Sequence, residues 1–133
     1  MADLKNTKDF LEEAKKLVAG DRAKEYGDKY TNHMNIANFW TIYLQRRISP
    51  HDVAVMMNLL KVARTMLGNR TDDTYVDASA YMAIAGECEK KEREIIKQQE
   101  KQVLTLMRYY ELVKELNNVH KTWNFKKVYQ RNN

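Results

Sequence analysis

From Glu87 to Asn118 the chain carries neither Gly nor Pro and consists largely of strong helix formers, CEKKEREIIKQQEKQVLTLMRYYELVKELNN from Cys88 onward. Nothing in that stretch punctuates a turn, so one long helix is its natural reading, continuous with the helix before it if that helix has no break. Ile95, Ile96, Val103, Leu106, Met107, Tyr110, Val113 and Leu116 give it an incomplete apolar stripe. Such a face must be covered, by the rest of the chain or by another subunit. A dimer or higher oligomer is therefore expected.

The same scarcity extends over the whole sequence, with 4 Gly and 1 Pro in 133 residues, which excludes a sheet fold built on many tight hairpins. At 44% hydrophobic, the chain has enough apolar side chain for a core of its own. No run approaches the roughly 20 apolar residues of a membrane span. The first ten residues, MADLKNTKDF, are too polar for a signal-peptide core. Cys88 is the single cysteine, which suits a reducing cytoplasm and gives no internal disulfide.

Charge is unevenly spread. Of 23 Lys+Arg and 18 Asp+Glu, residues 88–133 hold 11 and 6, leaving 12 and 12 before them. The whole net charge of +5 thus lies in the last third, where a polyanionic partner would be met.

Four helices precede or open that region. Asn6 or Thr7 can cap the first, with Phe10, Leu11, Ala14, Leu17 and Val18 at helical spacing and Gly20 at its end. DRAKEYGDKYTNH reads as a short helix and an irregular connection. Thr31 or Asn32 can cap the next main helix, whose apolar residues are Ile36, Phe39, Trp40, Ile42, Tyr43 and Leu44, and which closes at Arg46-Arg47. Ser49-Pro50-His51-Asp52 is the sharpest boundary: Ser49 fits N-cap, Pro50 the first helical position and Asp52 the third. Val53, Met56, Met57, Leu60, Arg64 and Leu67 are expected along one side of that helix, stopped by Gly68. Thr71 or Asp72 caps the following one, with Tyr75, Val76, Ala78, Tyr81, Met82, Ile84 and Ala85 inward.

One charged quartet stands beside these stripes. Lys61 and Arg64 are three apart on one helix, Asp73 and Asp77 four apart on the next, and the short loop makes the two helices antiparallel neighbours. Carboxylates so paired can hold Mg²⁺ and the cations can grip phosphate, the equipment of a nucleotide site. The same four can equally form an interhelical salt bridge. Trp40 could stack a base or serve the core, and His33 and His51 lack partners at metal-ligand spacing. At the C-terminal end, Lys121, Trp123, Phe125, Lys126, Lys127 and Arg131 mix cations with aromatics. They suit a partner surface or a nucleic acid, although Trp123 and Phe125 could instead fold back to cover the long helix.

A family resemblance emerges from the order of residues: Glu25-Tyr26-Gly27, Asn32, Ile36-Ala37-x-x-Trp40-x-x-Tyr43-Leu44, Ile48-x-Pro50-x-Asp52-Val53-Ala54-x-Met56-Met57, Leu60-Lys61-x-Ala63-Arg64 and Asp73-x-x-x-Asp77-x-x-x-Tyr81. Over about residues 22–88 this resembles a group of small proteins encoded by tailed bacteriophages and prophages. The pattern is also similar to the nucleotide-modification-associated phage domain and, more distantly, to the MazG-like all-α NTP pyrophosphohydrolases. In the latter, acidic residues on adjacent helices hold Mg²⁺ while water attacks the phosphate chain. The present chain departs from them, having no clear E-x-x-E helix paired with an E-x-x-D helix at the usual separation.

The resulting expectation is an all-α protein: a compact helical core over residues 1–87, a long charged helix at 88–118 and a basic aromatic tail at 119–133. The resemblance implies a phage-encoded nucleotide-handling protein of the host cytoplasm that binds, sequesters or hydrolyses its ligand, with catalysis left open. Lys61, Arg64, Tyr26, Asn32 and Tyr81 would line the nucleotide site, and Asp73 and Asp77 would hold Mg²⁺. The alternative is an anti-defence protein that disables a host factor through the charged helix and tail.

Overall fold

The computed structural model describes residues 5–20, 28–68 and 70–131, with side chains throughout except at 124, 125 and 128–131. The described residues form four α-helices and no strand: α1 (Thr7–Ala19), α2 (Lys29–Leu44), α3 (Pro50–Met66) and α4 (Asp72–Arg131). They belong to two compact units, Met1–Glu92 and Arg93–Asn133. The short helix expected over DRAKEYG lies outside the described residues.

Local chemistry sets the helix starts. Asn6 caps α1 in a reciprocal box, its side chain accepting from the backbone N–H groups of Lys8 and Asp9 while its own N–H donates to Asp9 at 2.8 Å. Ser49 and Asp52 form the same box at α3, with Pro50 in the first turn, as the sequence predicts. For α2 the cap is Asp28 and not Thr31 or Asn32. Its carboxylate accepts from the Thr31 N–H at 3.0 Å and the Thr31 hydroxyl at 2.8 Å, so Thr31 serves the cap from inside the helix. α2 also ends earlier than Arg46-Arg47, at Leu44, because Gln45 adopts a left-handed conformation at φ 51°. Thr41 then receives the Ile48 N–H at 2.9 Å and steers the chain toward α3. Past α3, Gly68 at φ 87° turns the chain where a side chain would be strained.

Within the first unit, α1 packs Phe10, Ala14, Leu17 and Val18 around Val76 and Ala80 of α4, and Phe10 meets Tyr75 edge-on at 6.2 Å. Ala37, Val53 and Ala54 are wholly buried, and Ala85 and Cys88 nearly so. The buried face of α3 overlaps the expected stripe only in part: Val53 is buried and Met57 half-buried as expected, but the rest of the stripe is not. Pro50, Val53, Ala54 and Lys61 point inward, while Met56, Leu60, Arg64 and Leu67 are exposed. At the helical period of 100° per residue the inner face is turned by roughly 70° from the expected stripe. Small side chains at Ala37 and Ala54 allow close packing, and the aliphatic stem of Lys61 completes that face. In α2 likewise, Tyr30, His33 and Ala37 go in while Phe39, Ile42 and Tyr43 stay out. Tyr75 and Met82 of α4 and Leu11 of α1, expected inward, are exposed.

In the second unit no described side chain is buried, and only Ile95 and Val113 are half-buried. The helix continues through the tail to Arg131, so Trp123 stands on α4 and is 57% exposed instead of folding back.

Candidate functional site

The structure joins two members of the quartet and separates the others. Lys61 donates to Asp77 Oδ2 across the α3–α4 contact, and both side chains are largely buried, at 11% and 17% exposure. A cation and an anion removed from water at that depth are held by each other, since either alone would be costly to keep there. Arg64 and Asp73 are exposed and make no ion pair or side-chain hydrogen bond among the described residues. A step of three residues carries Arg64 about 60° round α3 from Lys61, and that suffices to move it to the solvent side.

The remaining site candidates scatter. Asn32 and Tyr81 are half-buried on α2 and α4, and Tyr26 lies outside the described residues. Among the described residues no three His, Cys, Asp or Glu side chains gather as a metal site. Asp77 is engaged by Lys61, so a cation at Asp73 and Asp77 would have to displace the ammonium. Trp40 is half-buried. His33 is buried, and its Nδ1 donates to the Lys29 carbonyl at 2.8 Å, a structural use of the ring. On the tail, Lys121, Lys126 and Lys127 are exposed, and the Lys127 ammonium sits 4.0 Å from the Trp123 ring centroid, a cation–π pair one helical turn long. The side chains of Phe125 and Arg131 lie outside the described residues.

A second polar cluster, which the sequence reading missed, joins the start of α2 to α4. Lys91 donates to Asp28 at 3.0 Å and lies 4.7 Å from the Tyr30 ring centroid, and Lys29 pairs with Glu87 at 3.2 Å. The Lys91 ammonium, followed by the Thr31 hydroxyl and N–H, draws the Asp28 carboxyl down to about 2. Behind these, burial first and then Glu92 and Glu87 push the Cys88 thiol up to about 11, which leaves it inert at neutral pH. Burial and the Glu92 charge also raise the Tyr30 phenol. Glu92 Oε1 is screened from solvent and has no hydrogen-bond partner among the described residues. The i, i+4 pair Glu87 and Lys91 was the available signal, but its partners lie 58 and 63 residues away. Lys5 makes a similar tie, to Glu13 at 2.9 Å and Asp72 at 3.2 Å.

A shallow groove of about 450 Å³ runs along Ile96, Gln99, Glu100, Val103 and Leu104, and none of the nucleotide-site candidates lines it. No helix among the described residues is long and apolar enough to cross a membrane.

Fold and surface together define a small all-helical protein whose polar side chains tie helices to one another. Its sequence matches the family Domain of unknown function (DUF6378) over residues 9–89, and the chain belongs to that family. It is 42% identical over 76 residues to the Gene 55 protein of Mycobacterium phage L5, covering 56% of this chain and 49% of that protein. With the Gene 55 protein of Mycobacterium phage D29 it shares 39% over 72 residues, covering 54% and 48%. The chain spans about half the length of these curated relatives. The likeness to a phage protein group is thereby shown, while that to MazG-like enzymes is not. No solved structure matches the chain.

Proposed function

We propose that this chain is a phage accessory protein that works by binding another protein. The observation that carries this reading is the outer face of α2. Phe39, Ile42 and Tyr43, three and four residues apart on that helix, are 72%, 75% and 86% exposed. Three large apolar side chains on one face make a contiguous patch of roughly a few hundred Å², a size that on a soluble surface is often functional. Met66 and Leu67, at 83% and 90%, add a second apolar site at the end of α3. The partner would be a phage or host protein offering an apolar surface to this face. Capture from phage-infected lysate, compared between the natural chain and a Phe39→Ser/Ile42→Ser/Tyr43→Ser variant, tests it. A protein retained by the first and lost by the second supports docking at α2. Identical recovery from both refutes it.

A nucleotide-handling role is the second reading, and one observation favours it: Arg64 and Asp73 are exposed and unengaged among the described residues, hence open to a ligand. Calorimetric titration of NTPs, dNTPs and cyclic nucleotides with Mg²⁺ should show binding that Arg64→Ala weakens. No heat with any of them removes this reading, and binding without turnover would favour sequestration.

A further inference from the structure

Most of the exposed apolar side chains described in residues 93–131 fall on two sides of α4, with Leu104, 66% exposed, between them. Ile96, Val103, Leu106, Met107 and Tyr110 make one stripe, with half-buried Val113 at its edge. Tyr109, Leu112, Leu116, Val119 and Trp123 make another, at alternating steps of three and four residues over two heptads. At 100° per residue the centres of the two stripes lie roughly 150° apart. A two-stranded coiled coil buries one narrow seam. Apolar side chains on two sides mark a helix buried among several neighbours.

The area points to the same arrangement. With side chains half to two-thirds exposed, each stripe offers on the order of 600 Å², already the upper end of the largest patch on a soluble monomer. Covering one stripe alone would bury less than the roughly 800 Å² per partner of a standard pair, whereas a chain with both stripes covered by neighbours buries on the order of 1,200 Å². Over residues 93–123, which both stripes span, 6 Lys+Arg meet 4 Glu, and the larger part of the positive excess lies beyond the stripes at Lys126, Lys127 and Arg131.

We infer that residues 93–131 are an assembly helix whose two stripes are covered by further copies of this chain, in an assembly of three or more. The surface is separate from the α2 face and does not depend on it.

Light scattering on the full chain tests the proposal, alongside Val103→Lys/Leu106→Lys in the first stripe, Leu112→Lys/Leu116→Lys in the second, and all four together. The natural chain should have at least three times the single-chain mass of 15.8 kDa. Either pair should lower the mass and the four together should give single chains. Circular dichroism checks that each variant keeps its helix, and Met107→Glu and Val119→Glu replace any pair that does not. A natural chain of one or two copies overturns the proposal, and a single-copy result would leave the stripes to a different partner. A mass unchanged by variants in either stripe overturns it as well.

Discussion

The two units of this molecule use apolar residues in opposite ways. Up to Glu92, small side chains are buried and several large ones are left out: Ala37 and Ala54 are wholly enclosed while Phe39, Ile42 and Tyr43 face solvent. From Arg93 onward no described side chain is buried, and Val103, Leu106, Leu112, Leu116 and Trp123 are all at least half exposed. The first unit is therefore held by the packing of small buried side chains and by ion pairs between helices. The second owes its helix to propensity and to whatever covers its stripes.

The largest test of this contrast is Lys61→Met. It strands Asp77 in a largely buried position and should lower stability by about 3 kcal/mol, with Lys61→Met/Asp77→Leu recovering most of the loss. Urea denaturation measures both. A loss well below 1 kcal/mol would mean that the pair does not hold the first unit. Close packing at Ala37 predicts that Ala37→Leu destabilises by about 2 kcal/mol through overpacking. If its melting temperature matches the natural chain, α2 is less tightly seated than its burial indicates. Ser49→Ala removes the α3 cap and should be worth about 1 kcal/mol, read from the same denaturation curves.

The smallest effect concerns acid. The Asp28 carboxyl lies at about 2 when folded, against 3.8 as its ordinary value. Its depressed value means that its contribution is complete above 3.8 and is lost as pH falls from there through about 2. The stability difference between the natural chain and Asp28→Ala should accordingly stay constant down to about pH 4 and shrink below it. A difference that disappears near neutral pH would place another group in charge of this contact.

What could be read from sequence was local. The Ser49 box needs only residues within four positions, and it formed as written. The contact of Lys61 with Asp77 follows from a short loop between two helices. The turn of α3 about its own axis was not legible, because the most apolar stripe is not the one buried. Helix packing here selects small residues that let backbones approach, and Ala54 carries little weight in a hydrophobic pattern. The Asp28 cap was hidden for a related reason. Thr31 and Asn32 have equal credentials as caps, and the choice depends on Lys91, which reaches Asp28 only in the folded chain. The apolar positions of the long helix were partly legible, but their two-sided distribution requires following all of them around the axis.

The chain contains two tryptophans, and they fall one to each unit: half-buried Trp40 on α2 and exposed Trp123 on α4. The molecule thus carries an internal optical reporter for each region. Trp123, with the Lys127 ammonium over its ring, should be the one reached by iodide in solution, and its emission should shift to the blue whenever its stripe is covered. A Trp40→Phe chain would isolate that signal and follow burial of the long helix without any added label.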